Sequence, residues 1–480
     1  MNQTKHADEG LFYGFLALLY WLPLPLGSNR GFAIMIFVLA VCLLTLLWLI
    51  LFWKNRVHIP SAFRHSWPLQ ILLFLFLGYI FTQLLPLPPS WVAVLSPKSI
   101  AHWNSIHIFQ QARFQQARTS AYLSLSPDDT LWFLLKSVSY VLFFNLTLLL
   151  VRSHSRIRLL LLTLVISGTL QAIYGSLMVL SGMEFGFFVK KVAYLGSATG
   201  TFVNRNHLAG YLEMCLAAGI GLLIMSLDQH NSTNWRQRFA NLVRLLLSPK
   251  IKIRVALAFM VIGLVITHSR MGNSAFFISL IVTGILWMLL SGQRPGKPVL
   301  LLLASLFVVD LFIVGSWFGV DKVVQRIENT RASDETRDEV VRDSMVYTQN
   351  FRLTGSGGGT FASVYPIFRQ ADVKGFYDHA HNDYLEFLLE TGIIGVALLG
   401  IFTASSVLAA LLAIRKRHST VMRGTGFAAT MGLIAILIHS LVDFNLQIPA
   451  NAALFMVFLA LSWIALFLGH HQRLQKSSTS

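Results

Sequence analysis

About twelve apolar runs, each close to the length that crosses a bilayer, constrain this chain more than any other feature. They fall at about 11–28, 31–53, 67–87, 131–151, 157–181 and 207–227, then at about 253–268, 272–291, 298–318, 393–414, 421–440 and 450–469. With 55% hydrophobic and 12% charged residues over 480 positions, the chain is too apolar for a set of soluble domains. An all-α integral membrane protein with about twelve transmembrane helices is expected. Cys42 and Cys215 both sit inside apolar runs, where a thiol packs as a small hydrophobe, so no disulfide framework is implied. The opening "MNQTKHADEG" lacks the basic stretch and small-residue cleavage site of a secretory signal, so the run from Leu11 is expected to be retained as a span.

The net charge of +17 would suggest nucleic acid in a soluble protein, but here the charges must first be sorted by side of the membrane. With the N-terminus in the cytoplasm, the short segments "KNRVHIPSAFRH", "RSHSRIR", "NWRQRFANLVRLLLSPKIKIR", "GQRPGK", "RKRHSTVMR" and "HHQRLQK" share that side. Together with Lys5 they hold about 21 of the 38 Lys and Arg residues, the positive-inside pattern, which argues against a nucleic-acid partner. Both termini are therefore expected in the cytoplasm. Two longer segments, 88–130 and 319–392, then face outward. The chain divides into N-terminal membrane helices (1–190), a second membrane domain (191–470) containing the large loop 319–392, and a short cytoplasmic tail (471–480).

The conspicuous polar motifs all fall on that outer face: "GTFVNRNHLAGYLEM", "THSRMGN", "RASDETRDEVVRD", "HAHNDYLEF" and "HSLVDFNLQIP". In the fourth, Asn382 is a good N-cap, Asp383 and Glu386 suit a first helical turn, and Leu385, Leu388 and Leu389 form the apolar stripe behind them. His381 then stands at a helix entrance. It reads either as a general base for a sugar hydroxyl or as an incidental neighbour of a cap. A metal site built from His379, His381 and Asp383 is the weaker reading, because no ligand pair at helical spacing accompanies them and Asn382 starts the helix between them.

Arg270 and Arg205 lie at outer ends of spans, and Arg337 begins an amphipathic stretch of the large loop. Each could snorkel or join a surface ion pair, but guanidinium groups also grip phosphate oxygens bidentately, and a diphosphate needs more than one. Arg331 and Arg342 compete with Arg337 for that role. The glycine-rich "GSGGGTF" (355–361) lacks the Lys-Ser/Thr of a nucleotide loop and reads as a sharp turn packed beneath the site, with anion binding by its N–H groups as the minor alternative. Structural hydrogen bonding is expected of His439, Asp443 and Asn445. Asp310 is the intramembrane carboxylate that stands out mid-span.

In this order, "TFVNRNHLAGYLEM", "SRMGN", "GSGGGTF", "HAHNDYLEFLLETGIIG" and "HSLVDFNLQIPANA" resemble the O-antigen ligase and O-antigen polymerase superfamily of bacterial envelopes, over about residues 190–460. The most specific element is His-Asn-x-x-Leu-x6-Gly, matched by His381, Asn382, Leu385 and Gly392. The resemblance implies a GT-C-like glycosyltransferase in the inner membrane, acting on its periplasmic face. It also implies a donor glycan on undecaprenyl diphosphate and a lipid A–core or glycan acceptor, without cofactor or metal. It assigns the essential loop histidine to His381 and diphosphate contacts to Arg270 and Arg337. Arg205 is added to these from its "NRN" context, with Asn382, Asn206, His207, His439 and Asp443 in support. A ligase leads, followed by a polymerase and a protein oligosaccharyltransferase. A lipid-linked oligosaccharide transporter belongs to a different class and would require intramembrane ionisable pairs or broken helices in related halves.

Overall fold

The computed structural model describes residues 7–114, 121–186, 188–226, 249–291, 337–373 and 376–469. Its helices begin with α1 (Glu9–Trp21), α2 (Gly31–Trp53), α3 (Ser61–His65) and α4 (Trp67–Gln83). The segment after α4 forms α5 (Pro89–Leu95) and α6 (Pro97–Phe114). Next come α7 (Pro127–Leu150), α8 (His154–Ser181), α9 (Arg205–Met225), α10 (Pro249–Ile266) and α11 (Arg270–Leu290). The large loop carries α12 (Arg337–Asn350) and α13 (Phe361–Phe368), and the chain closes with α14 (Asp383–Lys416), α15 (Thr420–His439) and α16 (Pro449–Phe467). The described strands are a two-residue antiparallel pair, Phe185–Gly186 with Val189–Lys190.

Among the described residues, eight helices are long and apolar enough to cross a membrane: α2, α7, α8, α9, α11, α14, α15 and α16. The expected count of about twelve included three others that do not meet both conditions. Helix α1 has 13 residues, α4 has 17, and α10 carries Lys250, Lys252 and Arg254 in its first turns. The run at 298–318, with Asp310, lies outside the described residues, as does the expected tail 471–480. The protein is a multi-pass, mostly helical membrane protein.

Helix α9 is the axis of the bundle: every residue from Asn206 to Met225 is buried, and α8, α10, α11, α15 and α16 pack around it. Helix α2 is the opposite case, with Leu39, Leu43 and Leu46 more than half exposed, the outward apolar surface that a lipid solvent covers. At the end of the bundle that carries the start of α8, Arg156 grips the buried Asp8 carboxylate with two bonds of 2.8 and 3.0 Å, and Arg152 pairs with the same acid. Two of the arginines counted for orientation thus also tie α1 to α8.

Helix α14 is two helices separated by a break. Gly392 has φ 60° and ψ −173°, which splits a short helix after Asn382 from the long apolar run beyond it. The break is fixed by close approach of the glycine-rich turn: a Cβ at Gly392 would lie 2.2 Å from the Leu353 oxygen, and one at Gly355 2.1 Å from the Glu390 oxygen. Backbone groups released by the break find partners there. Ile393 N–H donates to the Arg352 oxygen, and the Tyr79 hydroxyl donates to the Thr391 and Thr354 oxygens at 2.9 and 2.6 Å. The "GSGGGTF" turn is packed as expected, but its N–H groups serve the protein itself. Ser356 and Gly357 donate to Leu389 and Glu390 oxygens, Gly358 to Gln83 Oε1 at 3.0 Å, and Phe361 to Glu390 Oε1 at 3.1 Å. These donors are spent, which removes the anion-binding alternative for the turn. Above it, Val340, Tyr347, Phe351, Phe361, Tyr365 and Leu389 form a small core that holds α12 and α13 against the start of α14.

Candidate active site

The histidine loop is built around the cap of α14. Asn382 is extended, and its Oδ1 accepts the Leu385 N–H at 3.0 Å while its Nδ2 donates to the Leu441 oxygen at 2.8 Å. One residue therefore starts the helix and ties it to the 440–448 segment. Immediately before it, His381 has φ 51°, a left-handed conformation that costs a residue with a Cβ about 1–2 kcal/mol. Both flanks enforce it: Ala380 N–H donates to Glu386 Oε2 at 2.8 Å, and Asp383 N–H donates to the Ser440 oxygen at 3.0 Å.

The His381 ring lies edge-on to Phe444, with centroids 4.8 Å apart, and to Tyr377 at 5.8 Å. Its Nδ1 is 3.7 Å from Asp443 Oδ1, and the side chain is 14% exposed. The same carboxylate oxygen accepts the Phe444 N–H at 2.9 Å and lies 3.9 Å from His207 Nε2. Burial would raise the Asp443 carboxyl, but the imidazoles of His381, His207 and His439 around it hold it well below the usual carboxylate range. Phe444 is the hydrophobic centre of the group. His379 stacks on it at 4.3 Å and His207 meets its edge at 4.6 Å.

His379 has a separate partner, donating from Nδ1 to Glu386 Oε1 at 2.7 Å. Burial opposes its charge, yet the adjacent Glu386 carboxylate outweighs burial and lifts the imidazole to about 9, so it is a cation at neutral pH. Asp383 turns elsewhere, its Oδ2 accepting from Ser440 Oγ at 2.7 Å and Leu446 N–H at 3.0 Å. His379, His381 and Asp383 thus do not converge as a ligand set.

Of the residues expected to support the site, His207, Asn382 and Asp443 gather directly around His381. His439 does not join them in a mutual hydrogen-bond group with Asp443. Helix α15 ends at His439 and the chain turns, so His439 Nδ1 bonds the buried Glu213 Oε1 at 2.8 Å, while Asp443 faces the other histidines. Asn445 is structural, its Oδ1 accepting from Asn451 Nδ2 at 2.9 Å. Asn206 sits in the capped first turn of α9, where its N–H donates to Asn204 Oδ1 at 2.9 Å. Sequence reasoning missed Glu213, although a lone acid in "GYLEMCLAAG" was the available signal. It also missed Lys136 in the apolar run of α7. Glu386 was read as a dipole partner, whereas it anchors the histidine loop.

The arginines sit at helix starts. Arg205 opens α9, reaching Ser197 Oγ at 3.4 Å with its guanidinium 5.6 Å over the Tyr194 ring. Ser197 Oγ is also 3.3 Å from His268 Nδ1, two residues before Arg270, and Ser269 caps α11 by accepting the Gly272 N–H at 3.2 Å. Arg205 and the exposed Arg270 therefore begin neighbouring helices bridged by Ser197. Arg337 is the first residue of α12, and its side chain lies outside the described part, as does Arg331. Arg342 is held by Asp372 and Asp343, each at 2.8 Å.

A family model described as O-Antigen ligase matches residues 255–400. Over that stretch the chain is similar to the O-antigen ligase superfamily. The matched stretch runs from within α10 to the apolar part of α14. It includes Arg270, Arg337, the His379–Asn382 loop, Glu386 and the Gly392 break. His207, Glu213, His439 and Asp443 lie outside it, so the elements completing the histidine group come from flanking helices. No curated protein matches the chain.

Proposed function

We propose that this protein is an O-antigen ligase-type glycan ligase of GT-C type in the bacterial inner membrane, with cytoplasmic termini and a periplasmic site. It moves a glycan from undecaprenyl diphosphate to lipid A–core with inversion at the anomeric carbon. The observation that carries the reading is the His381–Asp443 pair. An imidazole whose Nδ1 faces a buried carboxylate at 3.7 Å keeps its proton on that nitrogen, which leaves the Nε2 lone pair for a substrate hydroxyl. The separation exceeds hydrogen-bond length, as catalytic contacts often do before substrate binds.

In this reading Nε2 takes the acceptor hydroxyl proton as that oxygen bonds to the anomeric carbon. The bond from this carbon to the diphosphate breaks, and its electron pair leaves on undecaprenyl diphosphate. Arg270, Arg205 and Arg337 hold the diphosphate and offset the charge growing on it. The reaction as written calls for neither nucleotide nor metal. Support for the arginine roles comes from the two helix starts bridged by Ser197, since α9 carries both Arg205 and His207, the neighbour of Asp443.

The test is transfer by purified protein in detergent with EDTA, wild type beside His381→Ala. The donor is undecaprenyl-diphosphate-linked glycan, offered lipid A–core or a second lipid-linked glycan. Product on lipid A–core that disappears in the variant supports the ligase reading. A ladder on the lipid-linked acceptor makes the protein a polymerase, and full activity of the variant removes His381 from the chemistry.

A further inference from the structure

Helix α16 starts beside the histidine group, where Asn451 in its first turn donates to the His207 oxygen at 3.0 Å, and its 19 residues carry the chain about 28 Å away. At that far end lies a cavity of about 680 Å³, lined by Arg64, Arg152, His58 and His154, with Ile59, Pro60 and Leu468 as its apolar part. Stretches distant in sequence are fastened together around it. Ser61 Oγ donates to the Phe467 oxygen at 2.8 Å and the His65 ring stacks on Phe467 at 4.5 Å, which docks α3 on the end of α16. Arg417 donates to the Leu466 oxygen at 3.2 Å and to the Leu468 oxygen, bringing the end of α14 to the same place. Arg156 donates to the Leu150 oxygen at 2.7 Å and so holds the turn between α7 and α8 that carries Arg152.

The charge around this cavity has one sign. No carboxylate is among its described lining residues, and the buried Asp8 carboxylate at this end is already shared by Arg152 and Arg156. Arg152 spends one terminal nitrogen on Asp8, which leaves the other donors of its guanidinium fork. The side chains of Arg64, His58 and His154 have no hydrogen-bond or ion-pair partner among the described residues. Arg158 and Arg417 lie near enough to His154 to add their field at the same place. Basic groups gathered on one concave wall repel one another, and an anion between them turns that repulsion into attraction. The chain beyond Gly469 reads HHQRLQKSSTS, with an arginine, a lysine and no acid, so it has the wrong sign to supply that anion.

We infer that this cavity is a structural site for the head group of an anionic phospholipid in the leaflet opposite the histidine group. Arg64 and Arg152 hold the phosphate oxygens, a geometry that guanidinium forks match, and the glycerol lies against Ile59, Pro60 and Leu468. Basic pockets between spans on the cytoplasmic side of a membrane characteristically take such head groups. The apolar part of the wall favours a lipid over a free phosphate, which would leave it unused. Bound there, the lipid joins α3, the start of α8 and the end of α16, so the stability of the bundle follows its concentration by mass action. The inference is independent of the reaction proposed above, because the cavity lies at the other end of α16 from the histidine group.

The test uses full-length protein in a neutral detergent, with phosphatidylglycerol, phosphatidylcholine or inorganic phosphate added, read by native mass spectrometry and by the thermal midpoint. Phosphatidylglycerol is expected to stay bound and raise the midpoint, and phosphatidylcholine to do neither. Arg64→Gln is expected to weaken phosphatidylglycerol binding about tenfold, the loss of one charge-assisted bond, and Arg64→Lys to restore most of it. Arg56→Gln removes an exposed arginine of the same end that does not line the cavity, and it should leave binding unchanged. If millimolar inorganic phosphate displaces the lipid and gives the same Arg64-dependent rise, the anion site stands and its ligand is a soluble phosphate. Equal losses in Arg56→Gln and Arg64→Gln would make the attraction a property of the whole basic surface and overturn the proposal. Retention of phosphatidylcholine as tightly as phosphatidylglycerol, or full binding by folded Arg64→Gln, overturns it too. Neither readout requires glycan transfer, so failure of the reaction and failure of this site are seen separately.

Discussion

Replacing Asp443 by asparagine tests the pairing at the centre of the site. The substitution keeps the side chain's shape and an oxygen for the Phe444 N–H, which lies 2.9 Å away, but removes the charge. If His381 takes the acceptor proton, its ring becomes cationic in the transition state, 3.7 Å from a carboxylate that stays ionised across the working pH range. Two unit charges at that separation interact by about 4 kcal/mol when the effective dielectric is about 20. Each 1.36 kcal/mol of barrier is about tenfold in rate, so kcat is expected to fall about a thousandfold. KM should change little, because a general base enters the reaction without the proton and the interaction appears only as charge develops. The assay is initial transfer rate against donor concentration, with the thermal midpoint in detergent measured on the same preparation. A folded Asp443→Asn protein that loses less than about tenfold in kcat would refute the electrostatic reasoning.

Gly392→Ala must place a Cβ 2.2 Å from the Leu353 oxygen at φ 60°, so a loss of stability above about 2 kcal/mol is expected, read as a lowered thermal midpoint. Glu213→Gln leaves His439 with a neutral partner inside the bundle. It should cost about 3–5 kcal/mol, and Glu213→Gln with His439→Asn should recover part of that; a cycle showing simple additivity would count against the pair. The His379–Glu386 bond should make the histidine loop sensitive to pH. His379 is raised from 6.5 to about 9, so its contribution of about 3 kcal/mol is complete below the unfolded value and is lost as pH rises through about 9. The midpoint should therefore drop across that window in wild type and show no such step in Glu386→Gln. Arg270→Lys keeps the charge but not the planar fork, and if Arg270 grips a diphosphate, transfer should fall while stability holds.

The parts of this architecture legible in the sequence are those set by neighbours in the chain. Apolar length located eight of the expected spans among the described residues, Asn382 announced the start of α14, and the glycine at 392 marked where the large loop gives way to the long apolar run. What could not be read depends on partners distant in sequence. His439 and Asp443 stand four residues apart and invite a single hydrogen-bond group. The helix ends between them, however, and the turn sends one to Glu213, 226 positions away, and the other to His207 and His381. Spacing predicts a shared face only while one helix persists, and here the polar cluster occupies the place where helices stop. The same holds for Lys136 and Asp383: each is an isolated charge or acid in its own segment, and only the packing of α7 against α14 and the 440–448 turn makes them two walls of one cavity. Polar groups at helix ends serve the fold by satisfying exposed backbone, as Asn382 and Asp383 do for the 440–448 segment. Those left over, Asp383 Oδ1 among them, are the ones with capacity for a further partner.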